Sequence, residues 1–534
     1  MKLPVLFSAL CASALLHAQA PTVEWMRTAG EFSQFGKYLS AVDATGHIYT
    51  VARATNPDYG NSVTVTDEGM VLARYDSTGA IDWARGITTD PNEFDNVTGI
   101  VTTTNGEVWV AGMYTTSTLT IDAFVLNNNG GQRSFLARFD ATGAAQDAFD
   151  WGGQVTSSTT VDDICIDALD RVYVTGSSSG TSITIDGITM TNPGVNVQLY
   201  ALAFDANGTA SWGTMSASPS GVANGRVIAT DGSGNAYVSG LASANLVIDG
   251  STLPVGNQDM AVLMAFNNTG AVTHMEVLAD CMPMDMAVDD AGNAYVGGYV
   301  QNTAIFGSDT LLPSVLDGFV AAFPGDGTCN WVVGVEGAQD NEICYSVALD
   351  ASRTHLIASG IFTFDAWFGP MHVQSGMVPS DGFIMHLDTA GTVNWVKDMT
   401  GNGPTLHAQA MYDTQDRIHT SGLTQSTQIY LGEITNITAP TVGFLARFDE
   451  IIMGVEPIGQ QDDVLLYPNP GNGNFTLDLP MDAHTIIVED AQGRLLQRMK
   501  VNSSAASFHI GTAGVYFVSV LSDVGRTVQR VVVD

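Results

Sequence analysis

"AVDDAGNAYVGGY", residues Ala287–Tyr299, sets two carboxylates, a glycine and an asparagine between two apolar stretches. Two readings compete: a metal-binding loop and a tight turn. A calcium loop of the D-x-[DN]-x-[DN]-G type puts its glycine five residues after the first aspartate. Gly292 follows Asp289 by only three, so that spacing fails. The flanks alternate instead, with Met284, Met286 and Val288 on one face before the turn and Ala294, Val296 and Gly298 after it. This is the period of two strands joined by a hairpin. Asp, Gly and Asn suit its turn because they cap their own backbone or tolerate positive φ.

The hairpin recurs. "AVDATGHIYTVA" starts at Ala41, "VTTTNGEVWVAG" at Val101, "CIDALDRVYVTG" at Cys165, "IATDGSGNAYVSG" at Ile228, "ALDASRTHLIASG" at Ala348 and "MYDTQDRIHTSG" at Met411, making seven copies with the first stretch. The equivalent residues Tyr49, Trp109, Tyr173, Tyr237, Tyr295, Ile357 and His419 stand 60, 64, 64, 58, 62 and 62 residues apart. So even a period signals repeated supersecondary units. Each copy continues into a third strand of the "FLARFD" type, from Val71, Phe135, Ala201, Val262, Phe319, Phe383 and Phe444. A fourth strand follows as G-x-x-x-W at Trp83, Trp212, Trp331 and Trp395, with Asp147 and His274 replacing tryptophan in the second and fourth copies.

Four strands per copy in an all-β chain predict a seven-bladed β-propeller. The seventh copy stops at Glu450 without a fourth strand. "VEWMRTAG", Val23–Gly30, resembles the fourth strands "AIDWARG" (Ala80–Gly86) and "TVNWVKD" (Thr392–Asp398). The N-terminal strand is therefore expected to complete the last blade and close the ring, which removes an exposed edge. "DGFVAAF" from Asp317, "DGFIMHL" from Asp381 and, less closely, "VGFLARF" from Val442 resemble the secreted bacterial β-propeller repeats in which an Asp-Gly-Phe strand start precedes G-x-x-x-W. The resemblance covers the seven repeats and implies the fold. It implies little of activity, because propellers serve as enzymes, adhesins and scaffolds alike.

Composition agrees with many short strands: 56 glycines and 14% charged residues in 534. The net charge of −36, from 55 acidic and 19 basic residues, repels phosphate backbones and anionic lipid, so nucleic acid is excluded as a partner. Its plain consequence is solubility. Residues 1–20 carry Lys2, an apolar run from Leu3 to Leu16, and small residues at Ala18 and Ala20. They read as a secretory signal peptide cut after Ala20 or Ala18. No later run reaches the ~20 apolar residues of a transmembrane helix. With Cys11 removed, Cys165, Cys281, Cys329 and Cys344 remain, in an oxidising compartment and without zinc spacing. Four cysteines allow three pairings. Cys281 and Cys344 both fall just before the first strand of consecutive copies, so a disulfide between them is the expectation.

After residues 21–450 comes a linker, 451–463, "IIMGVEPIGQQDD", and then a different unit, 464–534, with six acidic against five basic residues. Its short alternating strands read as a small β-sandwich. Tyr467, Pro468, Asn469 and Pro470, then Asp490, Gly493 and Arg494, then Gly514, Val515, Tyr516 and Phe517, and the closing strand around Arg530 together closely resemble the type A C-terminal sorting domain of the type IX secretion system of Bacteroidetes. That resemblance implies export across the outer membrane, removal of the domain by a sortase-like protease, and release or attachment to surface lipopolysaccharide.

Chemistry leaves few marks. The repeat aspartates Asp43, Asp167, Asp231, Asp289, Asp350 and Asp413 stand where turns need them, against an ion site at one blade. Tyr and Trp at the second-strand position read as packing between blades rather than sugar platforms. Met282, Met284 and Met286 in "CMPMDMAV" alternate like a buried strand face rather than a soft-metal site. The ten histidines are scattered singly, and neither G-x-S-x-G nor H-E-x-x-H occurs. No catalytic, cofactor or metal residue is assigned. The reading is a secreted or surface-displayed propeller that binds an extracellular macromolecule or glycan as an adhesion or scaffold module, with the type IX machinery as the C-terminal domain's partner. The alternative is a propeller lyase or hydrolase acting on extracellular polysaccharide.

Overall fold

The computed structural model describes residues 21–31, 38–448 and 465–533, apart from gaps at 55–68 (where 59, 63 and 65 are described), 89–95, 153–155, 195, 219, 326–327, 338–340, 375–379, 432–433, 438–441, 480–482, 491–494, 502 and 523–524. The signal peptide and the linker expected from the sequence lie outside the described residues. Among the described residues every regular element is a strand. The chain divides between Ile451 and Ile452 into two compact units.

The larger unit is propeller-like, built from four-stranded antiparallel sheets. In the first sheet the order is Leu39–Val42, Ile48–Ala54, Gly69–Tyr75 and Ile81–Thr88. The same order recurs in sheets that start at Asn96–Thr102, Thr159–Ile166, Ala223–Thr230, Met282–Val288 and Ile343–Leu349. In the seventh, Thr405–Tyr412, Ile418–Thr424 and Val442–Phe448 are followed by Val23–Glu31. That N-terminal strand pairs antiparallel with the third, Trp25 opposite Arg447 and Met26 opposite Ala446. The Arg447 guanidinium donates from Nε and Nη2 to the Glu24 carboxylate at 2.7 and 2.6 Å.

Local chemistry sets these hairpins. Asp43 Oδ1 accepts from the backbone N–H of Thr45 (2.8 Å) and His47 (3.0 Å), and Asp76 Oδ1 does the same for Thr78 and Ala80 at the third-to-fourth turn. The carboxylate thus supplies the acceptors that a tight turn leaves its amides without.

The G-x-x-x-W motif is a latch between neighbours. Trp83 of the first sheet donates from Nε1 to the Ala141 carbonyl of the second sheet's third-to-fourth turn at 3.1 Å. Its ring lies where a Cβ on Gly143 would be, 2.9 Å away. Trp331 reaches the Thr389 carbonyl (3.1 Å) and covers Gly391 in the same way. Trp25 covers Gly79, and Trp212 covers Gly270. Where Asp147 replaces tryptophan, Trp109 from the second strand covers Gly208 instead.

The apolar cores lie between sheets. Val227 and Leu263 of the fourth sheet pack with Val288 and Phe319 of the fifth. Trp25, Leu423 and Leu445 of the seventh pack with Tyr38, Ile48 and Val71 of the first. The inner strands of a sheet are therefore apolar on both faces, which is why the burial of the third strands Gln198–Phe204 and Asp317–Phe323 does not alternate.

Two features depart from the sequence reading. A bulge between Pro283 and Asp285 makes Met284 an extra residue, so Met282, Met284 and Met286 do not share a buried face: Met286 is buried and the other two are half-buried. From the second sheet to the seventh, an unforeseen short hairpin also separates second and third strands, as at Thr118–Ile121 with Phe124–Asn127 and at Asp365–Phe368 with Met371–Gln374. Three of these hairpins dock on the outer strand of the preceding sheet.

The smaller unit is a sandwich of a three-stranded sheet (Leu465–Tyr467, Asn474–Asp478, Ala505–His509) and a four-stranded one (Leu495–Lys500, Ala483–Asp490, Gly514–Ser522, Gly525–Val533). Phe475, Leu477, Phe508, Ile486, Val518 and Val531 fill the space between them.

Candidate functional site

The innermost strands of all seven sheets border one cavity of about 560 Å³, to which they contribute Ser40, Ile100, Ile164, Ile228, Met286, Leu349 and Gln409. Its carboxylates hold strands together. Asp163 accepts from the backbone N–H of Ile164 and, in the next sheet, of Ile228, both at 2.8 Å. Asp285 repeats this with Met286 and Val347, again at 2.8 Å. Gln409 Oε1 accepts from Ser40 N–H at 3.1 Å, joining the seventh sheet to the first. Cys165 borders the same space, and burial pushes its thiol well above the ordinary range, so it is a neutral thiol rather than a nucleophile.

Asp350, Arg353, Tyr412 and Asp413 also border the cavity. Arg353 donates from Nη1 to the Val288 carbonyl at 2.6 Å and lies 3.3 Å from Asp290. Asp350 Oδ1 accepts from the N–H groups of Thr354 and His355 at 2.7 and 3.0 Å. Asp413 Oδ2 takes Arg417 Nε at 2.8 Å and pairs with His419 Nε2 at 3.0 Å. Burial alone would raise the Asp413 carboxyl, but these bonds hold it well below the usual carboxylate range. Its hydrogen-bond capacity is spent on the turn. Among the described residues no three His, Cys, Asp or Glu side chains converge in a way that could hold a metal ion.

The other repeat aspartates serve their turns likewise: Asp167 accepts from Leu169 and Arg171, Asp231 from Ser233 and Asn235, and Asp289 from Ala291 and Asn293. Tyr49, Trp109, Tyr173 and Tyr295 are buried. Tyr49 donates to the Gly106 carbonyl of the next sheet at 3.1 Å, and Tyr173 to the Gly234 carbonyl at 3.2 Å. The second-strand aromatics are inter-sheet packing. Among the described residues of the larger unit the exposed aromatics are Trp367 and Tyr430, on the unforeseen hairpins, and Phe364, just before one of them. A signal for them was present in the recurring "TIDAF", "TIDGI", "VIDGS", "IFGSD", "WFGPM" and "YLGEI" from residues 120, 184, 247, 305, 367 and 430.

The cysteine pairing is corrected. The four cysteines among the described residues are free thiols. Cys281 packs with Met286 and Phe306 between the fourth and fifth sheets, and Cys344 with Val347 and Phe383 between the fifth and sixth. Cys344 lies within its strand opposite Gly360, the place that Pro283 holds opposite Gly298. The two cysteines are thus two residues out of step and enter different cores.

In the smaller unit Asn469 clamps the closing strand: its Nδ2 donates to the Arg530 carbonyl at 2.6 Å and its Oδ1 accepts from Val532 N–H at 2.9 Å. Gly471 N–H adds a bond to the Val532 carbonyl at 2.9 Å. Tyr467, flanked by Pro468 and with Pro470 after Asn469, donates to Asp478 at 3.1 Å, and Tyr516 to the Thr512 carbonyl at 2.8 Å. Asp490 pairs with Tyr516, and Gly514 with Val533. Gly493 lies outside the described residues.

Residues 465–534 match the family model described as secretion system C-terminal sorting domain. This domain marks a secreted or cell-surface protein of the type IX route. No helix among the described residues is long and apolar enough to cross a membrane. No curated protein matches the chain. Solved structures similar to it include a protein of unknown function from Dyadobacter fermentans (10% identity, 80% of this chain and 100% of that chain, TM-score 0.36). The Dos1 propeller shares 10% identity over 82% of this chain and 91% of that one, TM-score 0.31. The polysaccharide lyase Uly1 shares 6% over 80% and 99%, TM-score 0.41. At such identities what those proteins do remains theirs.

Proposed function

We propose that the chain is a seven-bladed β-propeller, closed by its N-terminal strand, that binds an extracellular macromolecule or glycan and is exported through the type IX system by its C-terminal domain. The pairing of Val23–Glu31 with Val442–Phe448 supports the closure. Residues 1–20 act as the signal peptide, 21–450 as the binding module, 451–463 as the linker, and 464–534, with Tyr467, Pro468, Asn469, Pro470, Asp490, Gly493, Gly514 and Tyr516, as the sorting domain. The observation that favours binding over catalysis is the engagement of the cavity's charged groups. Asp163, Asp285, Asp350 and Asp413 are each committed to backbone N–H groups, whereas a lyase or hydrolase needs an acid or base free to face substrate.

Truncation after Glu450 tests the export reading. In a host with a working type IX system the shortened protein is expected to fold, cross the inner membrane and accumulate in the periplasm. Its arrival at the cell surface or in the medium would overturn the assignment.

A further inference from the structure

The short hairpins carry a feature that the cavity does not. In their first strands the penultimate residue faces outward: Thr120, Thr184, Val247, Ile305, Trp367 and Tyr430 in turn from the second sheet to the seventh. Their neighbours, such as Ala366 and Phe368 or Ile429 and Leu431, are buried. Trp367 is 52% exposed and Tyr430 39%. Of the eight tryptophans, the other seven are buried or half-buried. A large apolar plate left in water at a position where four other hairpins carry threonine or an aliphatic residue is not a requirement of the fold.

Polar groups surround that plate. His372 stands opposite Trp367 across the hairpin, its ring centroid 4.6 Å from the indole, and Gln374 stands opposite Asp365. His372 Nε2 lies 2.5 Å from Asp365 Oδ1. On the other side, Glu336 of the fifth sheet is the cross-strand partner of Trp367. Asp365, His372, Gln374 and Glu336 are all exposed. The backbone beneath is fixed, because the hairpin is hydrogen-bonded into the fifth sheet through Val335, Glu336 and Gly337. Tyr430 sits at the equivalent place one sheet on, in a hairpin docked on the sixth sheet by the same register.

We propose that this outer face, centred on Trp367 and extended by Tyr430, holds a neutral polysaccharide chain. The proposal rests on the binding reading above and names its site and ligand class. A sugar ring offers an apolar C–H face to an aromatic plate and hydroxyl groups at its rim. The carboxylates of Glu336 and Asp365 accept from those hydroxyls, and the Gln374 amide both donates and accepts. The same two carboxylates, on a chain of net charge −36, repel uronate or sulfate polymers. Repetition of the plate on the next hairpin suits a linear chain that runs from one sheet to its neighbour.

The test is affinity electrophoresis of the full chain through gels containing mixed-linkage β-glucan, xylan, galactomannan or, as the anionic comparison, alginate. Trp367→Ala, Tyr430→Ala and the control Thr184→Ala are run beside the parent, and circular dichroism confirms that each is folded. The expected result is retardation by at least one neutral polymer, an affinity about tenfold weaker in Trp367→Ala, a smaller loss in Tyr430→Ala and none in the control. Retardation that survives Trp367→Ala overturns this site while leaving the binding reading in place. Retardation by alginate alone, or by no polymer, overturns the proposal; in the latter case retention of the parent on another extracellular macromolecule decides the binding reading separately. Sedimentation of parent and Trp367→Ala completes the set: a dimer that becomes a monomer would make this face a contact between two copies, and the proposal would fall.

Discussion

Gly143→Ala should destabilise the protein well beyond Gly187→Ala, although both glycines have nearly the same backbone, φ +80° and +82°. Holding an alanine at such a φ costs about 1–2 kcal/mol, and the loss of unfolded-chain freedom returns ~0.4–1 kcal/mol; both contributions are common to the two variants. The difference lies in what the methyl meets. At Gly187 nothing lies within 4 Å, whereas at Gly143 three atoms of the Trp83 ring lie 2.9 Å away. That ring is held by its bond to the Ala141 carbonyl, so it cannot withdraw without losing about 1 kcal/mol of hydrogen bonding. Overpacking of this kind costs roughly 1–3 kcal/mol, so Gly143→Ala should be the weaker variant by about 2 kcal/mol. Urea unfolding followed by circular dichroism reads this as a lower midpoint at unchanged slope. Midpoints that coincide, or a less stable Gly187→Ala, would refute the latch.

Acid should weaken the sixth sheet through His386. This ring is 1% exposed and stacks on His355 and Trp395, each at 5.3 Å; burial first, then the neighbouring His355, pushes it down to about 4. The unfolded chain takes its proton near 6.5, so the stability is complete above that pH and is lost as pH falls toward 4, by about 2 kcal/mol at pH 5. Urea midpoints at pH 7 and 5 should differ less in His386→Gln than in the parent; an equal difference in the two would count against the assignment. Asn469→Ala should cost the C-terminal unit ~2 kcal/mol, because a carbonyl and an amide of the closing strand lose their partner. Thermal unfolding of the two units checks this, and an unchanged C-terminal transition would contradict it. Thiol titration of the denatured, unreduced mature protein should give four free groups; a lower number would restore a disulfide.

The repeat was legible because its turn chemistry is local. Asp289 and Gly292 announce a hairpin wherever they fall, since the carboxylate bonds its own backbone two and four residues on. Other features depend on partners far away in the chain. Trp83 reads as a motif, but its role depends on Gly143, 60 residues later. The outer hairpins were missed because strands of three or four residues are too short to show a period. The bulge at Met284 shifted the face expected of three methionines, since one extra residue reverses every side chain after it. Cys281 and Cys344 differ for another reason: Cys344 takes the strand position of Pro283, so Cys281 lies two residues ahead of it, an offset that shows only once the strands are paired. At the putting together of the cavity, the sequence showed the aspartates at the turns but not Asp163 and Asp285, whose roles lie across the sheet boundary.

The N-terminal strand imposes an order of events. Val23–Glu31 is made first, yet its partner Val442–Phe448 is made almost last. Until synthesis has passed residue 448 the outer strand of the seventh sheet has no partner to pair with, however well the earlier sheets have assembled. The domain that addresses the chain for export begins only afterwards, at residue 465. A translation product broken off before Val442 therefore carries neither the partner of its first strand nor an address, and any chain that bears the address already holds both halves of the seam.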